Sequence, residues 1–110
     1  MKRFLFCALA LLALPLAAAH AEAMPQYTLT IKNHRYQPDT LKVPAHTKIK
    51  LIVVNKDSTP EEFESNDFNR EKIVMPDSRI TVYVGPLDPG HYNFFGDFHQ
   101  DTAQGTLIVE

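Results

Sequence analysis

The chain has 110 residues, 22% of them charged and 45% apolar, with a single cysteine and a formal charge of −2. That length holds one domain with one modest core, and a near-neutral balance gives no footprint for a polyanion, which excludes a nucleic-acid-binding reading. A lone cysteine excludes both a disulfide framework and a thiolate metal cluster.

At the amino terminus Lys2 and Arg3 precede an uncharged run from Phe4 to Ala19, which ends in Ala19-His20-Ala21 and a second small-residue pattern, Ala21-Glu22-Ala23. An apolar stretch of about 15 residues is shorter than the roughly 18 to 20 that a spanning helix needs. The pattern is that of a secretory signal peptide over residues 1–23, cleaved after Ala21 or Ala23, and it places the mature protein in the periplasm. Cys7 lies inside this segment, so the mature domain, residues 24–110, carries no thiol.

Along the mature chain, short runs alternate apolar and polar residues at Tyr27 to Ile31, Leu41 to Val43, Ile49 to Val54, Glu62 to Ser65, Ile80 to Val84, His91 to Phe95 and Thr106 to Val109. Period two is the mark of a half-buried strand. Turn residues separate the runs, as in Pro38-Asp39, Asn55-Lys56-Asp57-Ser58, Pro76-Asp77-Ser78 and Asp88-Pro89-Gly90. No window supports a long amphipathic helix, and Asn66 to Lys72 reads as a loop or a single helical turn. The pattern predicts an all-β, Greek-key, two-sheet antiparallel sandwich of about seven strands. Its expected core is Leu41, Val43, Ile49, Leu51, Val53, Ile80, Val82, Tyr92, Phe94, Leu107 and Val109.

Chemistry-bearing residues crowd two places. Glu61, Glu62, Glu64, Asp67 and Glu71 share one stretch, and Asp97 and Asp101 flank His99. On a strand Glu62 and Glu64 project to the same face and Phe63 to the other, which leaves two readings, a metal-binding face or a solvated acidic one. His34, His46 and His91 fall in turns or at strand starts and read as surface residues. Phe94, Phe95 and Phe98 read as a dry wall around the His99 loop. No Ser/His/Asp set, phosphate loop or zinc-type spacing occurs, so hydrolase and nucleotide-binding readings have no support.

Read in order, Tyr36-Gln37-Pro38, Leu41-Lys42-Val43-Pro44-Ala45, Val54-Asn55-Lys56-Asp57, Thr59-Pro60-Glu61-Glu62-Phe63-Glu64-Ser65, Pro86-Leu87-Asp88-Pro89-Gly90-His91-Tyr92 and Gly105-Thr106-Leu107-Ile108-Val109 resemble the cupredoxin family. The Glu-Glu-Phe-Glu-Ser run is similar to the periplasmic cupredoxin-like component of bacterial ferrous iron uptake systems. In blue copper relatives the loop after the Tyr92 strand carries a cysteine, a histidine and then a methionine, with a further histidine on a middle strand. Here the resemblance puts Gly96 at the cysteine, keeps His99, puts the methionine near Ala103 and the middle-strand histidine near Glu62. A blue-copper centre needs its thiolate, so none is expected.

What the resemblance implies instead is a hard, oxygen-rich metal site of Glu62, Glu64, Glu71, Asp97 and His99, for an iron or copper ion. Asp97 and Asp101 stand as ligands, as partners that fix the imidazole tautomer, or as loop caps. The implied role is a redox or delivery accessory of ferrous iron transport, working beside an inner-membrane iron permease and a small periplasmic iron-binding protein. Binding or electron transfer is favoured over catalysis, with ferrous iron oxidation as the enzymatic reading. The other readings are a non-enzymatic copper or iron carrier and a metal-free interaction domain.

Overall fold

The computed structural model describes residues 23–110. The expected signal segment lies outside the described residues, apart from Ala23. The described chain runs through nine strands: β1 (Gln26–Lys32), β2 (Arg35–Gln37), β3 (Thr40–Val43), β4 (Ile49–Asn55), β5 (Glu61–Ser65), β6 (Arg70–Val74), β7 (Arg79–Val84), β8 (Gly90–Gly96) and β9 (Gln104–Val109), with one 3-10 turn, Asp97–His99, between the last two. One sheet has the order β2-β1-β4-β7 and the other β3-β9-β8-β5-β6.

Each run of alternating residues becomes a strand with one face turned inward. Leu29, Ile31, Leu51, Val53 and Val82 meet Val43, Phe63, Phe94, Leu107 and Val109 between the sheets. β4, flanked by β1 and β7, is the most apolar strand. Toward the β8–β9 end three aromatic rings close the core. Tyr36 meets Phe94 edge-on at 5.0 Å between centroids, and Phe63 lies 5.5 Å from Phe94. Phe94 is thus core, whereas Phe98 is 46% exposed, so the expected phenylalanine wall around the loop does not form. Of the expected core, Leu41, Ile80 and Tyr92 are only partly buried and pack against its rim.

The sandwich departs from the expected pattern in strand number and direction. β6 is new because four of its five residues are exposed and show no alternation, and β2 is new because three residues carry too little signal. The segment expected as a loop or helical turn enters β6 at Arg70. Two pairings are parallel, β1 with β4 and β3 with β9, so both sheets are mixed rather than antiparallel. Alternation reports which face a residue takes and is blind to the direction of the neighbouring strand.

Two local devices matter later. The β1–β2 connection is a two-residue turn at Asn33 and His34, both at positive φ (52° and 56°), the conformation of the tight hairpin turns that match strand twist. The Asp57 carboxylate holds it, accepting the Asn33 N–H at 2.8 Å and the His34 N–H at 2.9 Å. Buried Asn55 holds Asp57 in turn, accepting its N–H at 2.9 Å while donating to the carbonyls of Thr59 and Val74. At the far side, the outermost strands of the two sheets face each other. Arg70 Nε donates to the Tyr83 carbonyl at 2.8 Å and Lys72 Nζ to the Thr81 carbonyl at 3.4 Å.

Candidate metal centre

β5 divides its acidic residues between two environments by alternation alone. Glu61, Phe63 and Ser65 are buried, and Glu62 and Glu64 are half-buried on the outer face. β8 runs beside it with Phe63 opposite Gly96 and Glu64 opposite Phe95. One residue further along that register, Asp97 stands beside Glu62. On the other flank β6 places Glu71 directly opposite Glu64.

The outer face therefore gathers carboxylates. One oxygen each from Glu62, Glu64 and Asp97 can lie within 4.8 Å of the others. Among the described residues none of the three takes part in a salt bridge. The Glu62 carboxyl is pushed up to about 7 from the ordinary 4.5, first by its partial desolvation against the sheet, then by the charge of Glu71 and a hydrogen bond with it, then by Asp97 and Glu64. A carboxyl that holds its proton among like charges is a group that a cation would relieve. Asp97 is steadied by Gln100, whose Nε2 donates to Oδ1 at 2.7 Å.

His99 belongs to a different arrangement. Its Nδ1 lies 2.5 Å from Glu61 Oε2. Glu61 Oε1 accepts the Phe98 N–H at 2.9 Å and its neighbour's N–H, that of Glu62, at 3.1 Å. The Glu61 side chain is only 2% exposed, and both its oxygens are satisfied. His34 stacks on the outer side of the His99 ring, with centroids 3.6 Å apart and planes 11° from parallel, and its Nε2 lies 3.4 Å from the Thr59 hydroxyl. Beneath the pair, burial and the Glu61 charge push the Tyr36 hydroxyl well above its usual range, and it donates to the Phe95 carbonyl at 3.2 Å. Partial burial would raise Asp57, but the backbone N–H groups of His34 and Asn33 and the charges of His34 and His99 outweigh it and hold that carboxyl low.

Of the five residues singled out in the sequence, the structure thus brings together Glu62, Glu64 and Asp97, with Glu71 on the neighbouring strand opposite Glu64, while the ring nitrogen Nδ1 of His99 turns to Glu61. The side chain that meets the loop positions Gly96, His99 and Ala103 is that of Glu61, one residue before Glu62. Two further contributors were not foreseen, Glu61 itself and His34, which was read as a surface residue. A signal for Glu61 exists: if Phe63 faces the core, period two carries Glu61 inward with it.

The positions that match copper ligands in the resemblance, Gly96, His99 and Ala103, do converge, with Glu61 as the fourth. A Cβ added at Gly96 would sit 2.5 Å from the Glu61 carboxyl carbon and 2.7 Å from both Glu61 Oε1 and the Ala103 Cβ. The space of a cysteine side chain is taken by a carboxylate, no thiolate or thioether is present there, and Nδ1 of His99 is engaged by that carboxylate. These residues do not fit a blue copper ion.

The comparisons with known proteins agree with the architecture. A model of the cupredoxin-like domain matches residues 5–109. An uncharacterized protein of Rickettsia prowazekii, RP394, is 58% identical over 81 residues, 74% of this chain, and the chain spans 65% of that relative's length. Among solved structures, auracyanin A, a blue copper protein from Chloroflexus aurantiacus, superimposes with a TM-score of 0.68 at 10% identity, over 80% of this chain and all of its own. A reduced mutant of amicyanin gives 0.64 at 14% identity, over 80% of this chain and 85% of its own. At such identities these two show the fold alone. With a family model spanning nearly its whole length and a nine-strand sandwich to match, the chain belongs to the cupredoxin-like domain family.

Proposed function

We propose that the protein is an exported, periplasmic metal-carrying domain, which takes an iron or copper ion as cargo on the outer face of its five-stranded sheet and serves as a delivery or redox accessory of ferrous iron uptake. The observation that carries this reading is the convergence of Glu62, Glu64 and Asp97 within 4.8 Å, with no internal cation to balance them among the described residues. Glu71, across the strand pair, is a fourth oxygen donor. Oxygen donors suit iron and Cu(II) over Cu(I). Carboxylates also favour Fe(III) over Fe(II), so binding would assist oxidation wherever a partner accepts the electron. An inner-membrane permease and a small periplasmic iron-binding protein are the partners such a carrier needs.

The test is equilibrium titration of the mature domain with Cu(II), and with Fe(II) under anaerobic conditions, together with metal analysis of protein purified from the periplasm. The parent should bind an ion, and the double variant Glu62→Gln, Glu64→Gln should bind it at least about tenfold more weakly. A parent that arrives metal-free and takes up neither ion would make the domain an interaction module. Fe(II) oxidation assayed with and without copper separates the redox role from carriage.

A further inference from the structure

The copper pocket of this fold has an occupant made by the chain itself. We infer that the Glu61 carboxylate fills the volume that a thiolate and its metal would take, binds His99 in the metal's place, and pins the turn after β8 to β5. The steric part is direct: the glycine at position 96 leaves open the space into which the carboxylate reaches, and Ala103, fully buried, forms the opposite wall. The polar part is equally complete. Every Glu61 oxygen has a partner, so the buried charge needs no metal to satisfy it. His34, held over His99 by the Asp57-anchored turn, covers the pair from outside.

The pair also acts as a clamp. Oε1 joins the backbone of Glu62 on β5 to that of Phe98 in the turn, and Oε2 reaches the turn's last residue, His99. Asp97 precedes Phe98, so the clamp fixes the turn that sets Asp97 against Glu62 and Glu64. Glu61 is in this sense a positioning residue for the outer carboxylates, and only that clause rests on the function proposed above. The closure of the pocket stands apart from it.

Two measurements test the closure. The first is a thermal-melt cycle. Gly96→Ala should lower the melting temperature of the metal-free domain by at least about 5 °C, and the same change in a Glu61→Ala background should cost less, because only the Ala103 Cβ then still lies against the added methyl. An equal shift in both backgrounds would mean that Glu61 does not fill the pocket. The second reads the parent directly, so that it holds even where a variant fails to fold. In 15N NMR of the histidine rings, the His99 Nδ1 signal should stay in place when the domain is saturated with Cu(I) under anaerobic conditions, and again with Zn(II). A shift of that signal to the metal-ligated range with either ion would overturn the inference. If no metal binds at all, the His99 signal stays put and the closure is upheld, while the outer-face carrier reading fails. If metal binds at the outer face and a folded Glu61→Ala variant, which lacks the clamping oxygens, binds it as tightly as the parent does, the clamp on Asp97 is refuted alone.

Discussion

Glu61 and Glu62 are consecutive, chemically identical, and opposite in what surrounds them. The inner carboxylate has two backbone donors and an imidazole, in a pocket walled by Gly96 and Ala103, with His34 stacked on the imidazole. Its outer neighbour has a hydrogen bond with another acid and two more carboxylates at hand. A step of one residue along a strand separates a carboxylate that the fold has answered from one set among other acids. On the function proposed above, the inner side of β5 serves stability and the outer side binding.

The largest effect should come from the inner side. Phe63→Ala, which removes a fully buried ring from the three-ring cluster, should cost about 3–5 kcal/mol in denaturant unfolding. On the outer side Glu64→Gln should leave unfolding almost unchanged or make it harder, since it removes one of several like charges. A destabilisation by Glu64→Gln comparable to that of Phe63→Ala would break the division between faces. Next comes the inner pair. His99→Ala leaves Glu61 buried with one oxygen unanswered, and chemical denaturation should show a loss of about 3 kcal/mol, at the low end for such pairs because the His99 side chain is 24% exposed.

Sequence made the seven alternating strands legible, because each puts a clean apolar stripe against the other sheet. It also made the acidic outer face legible, since Glu62 and Glu64 flank Phe63 at spacing two. Of the site's inner half, only the inward turn of Glu61 could be read, from its spacing of two to Phe63; the ligand place it takes could not, for a physical reason. A two-residue period tells which residues share a face, but where a strand begins decides whether the ligand place falls on Glu61 or Glu62. The small residues at Gly96 and Ala103 look like losses of ligands until a third side chain is seen between them. His34 was hidden because its position depends on a contact with His99, 65 residues further along the chain.

A smaller effect sharpens the outer half of the comparison. The folded domain holds the Glu62 proton more tightly than the unfolded chain does, so the contribution of Glu62 to metal-free stability should be fully present below about pH 4.5, fall as pH rises from there to about 7, and level off above that. Melts of the parent from pH 4 to 8 should show this decline, and Glu62→Gln should flatten it. Metal affinity should rise over the same interval as the competing proton leaves. The smallest effect is the control: His46→Ala, which removes an exposed contact to Asp88 at 3.5 Å, should change stability by less than about 0.5 kcal/mol and leave metal titration as it was.

The Arg70 and Lys72 bonds across to β7 have a consequence for solubility. A strand at the rim of a sheet offers its free carbonyls as a template on which a foreign chain can grow a further strand, the usual first step of sheet-based aggregation. Here the Thr81 and Tyr83 carbonyls are already engaged by cationic side chains of the other sheet, and the remaining outermost strands, β2 and β3, span only three and four residues. Two long basic side chains thereby blunt the rim of β7, and charge-removing changes at Arg70 and Lys72 together would expose that template.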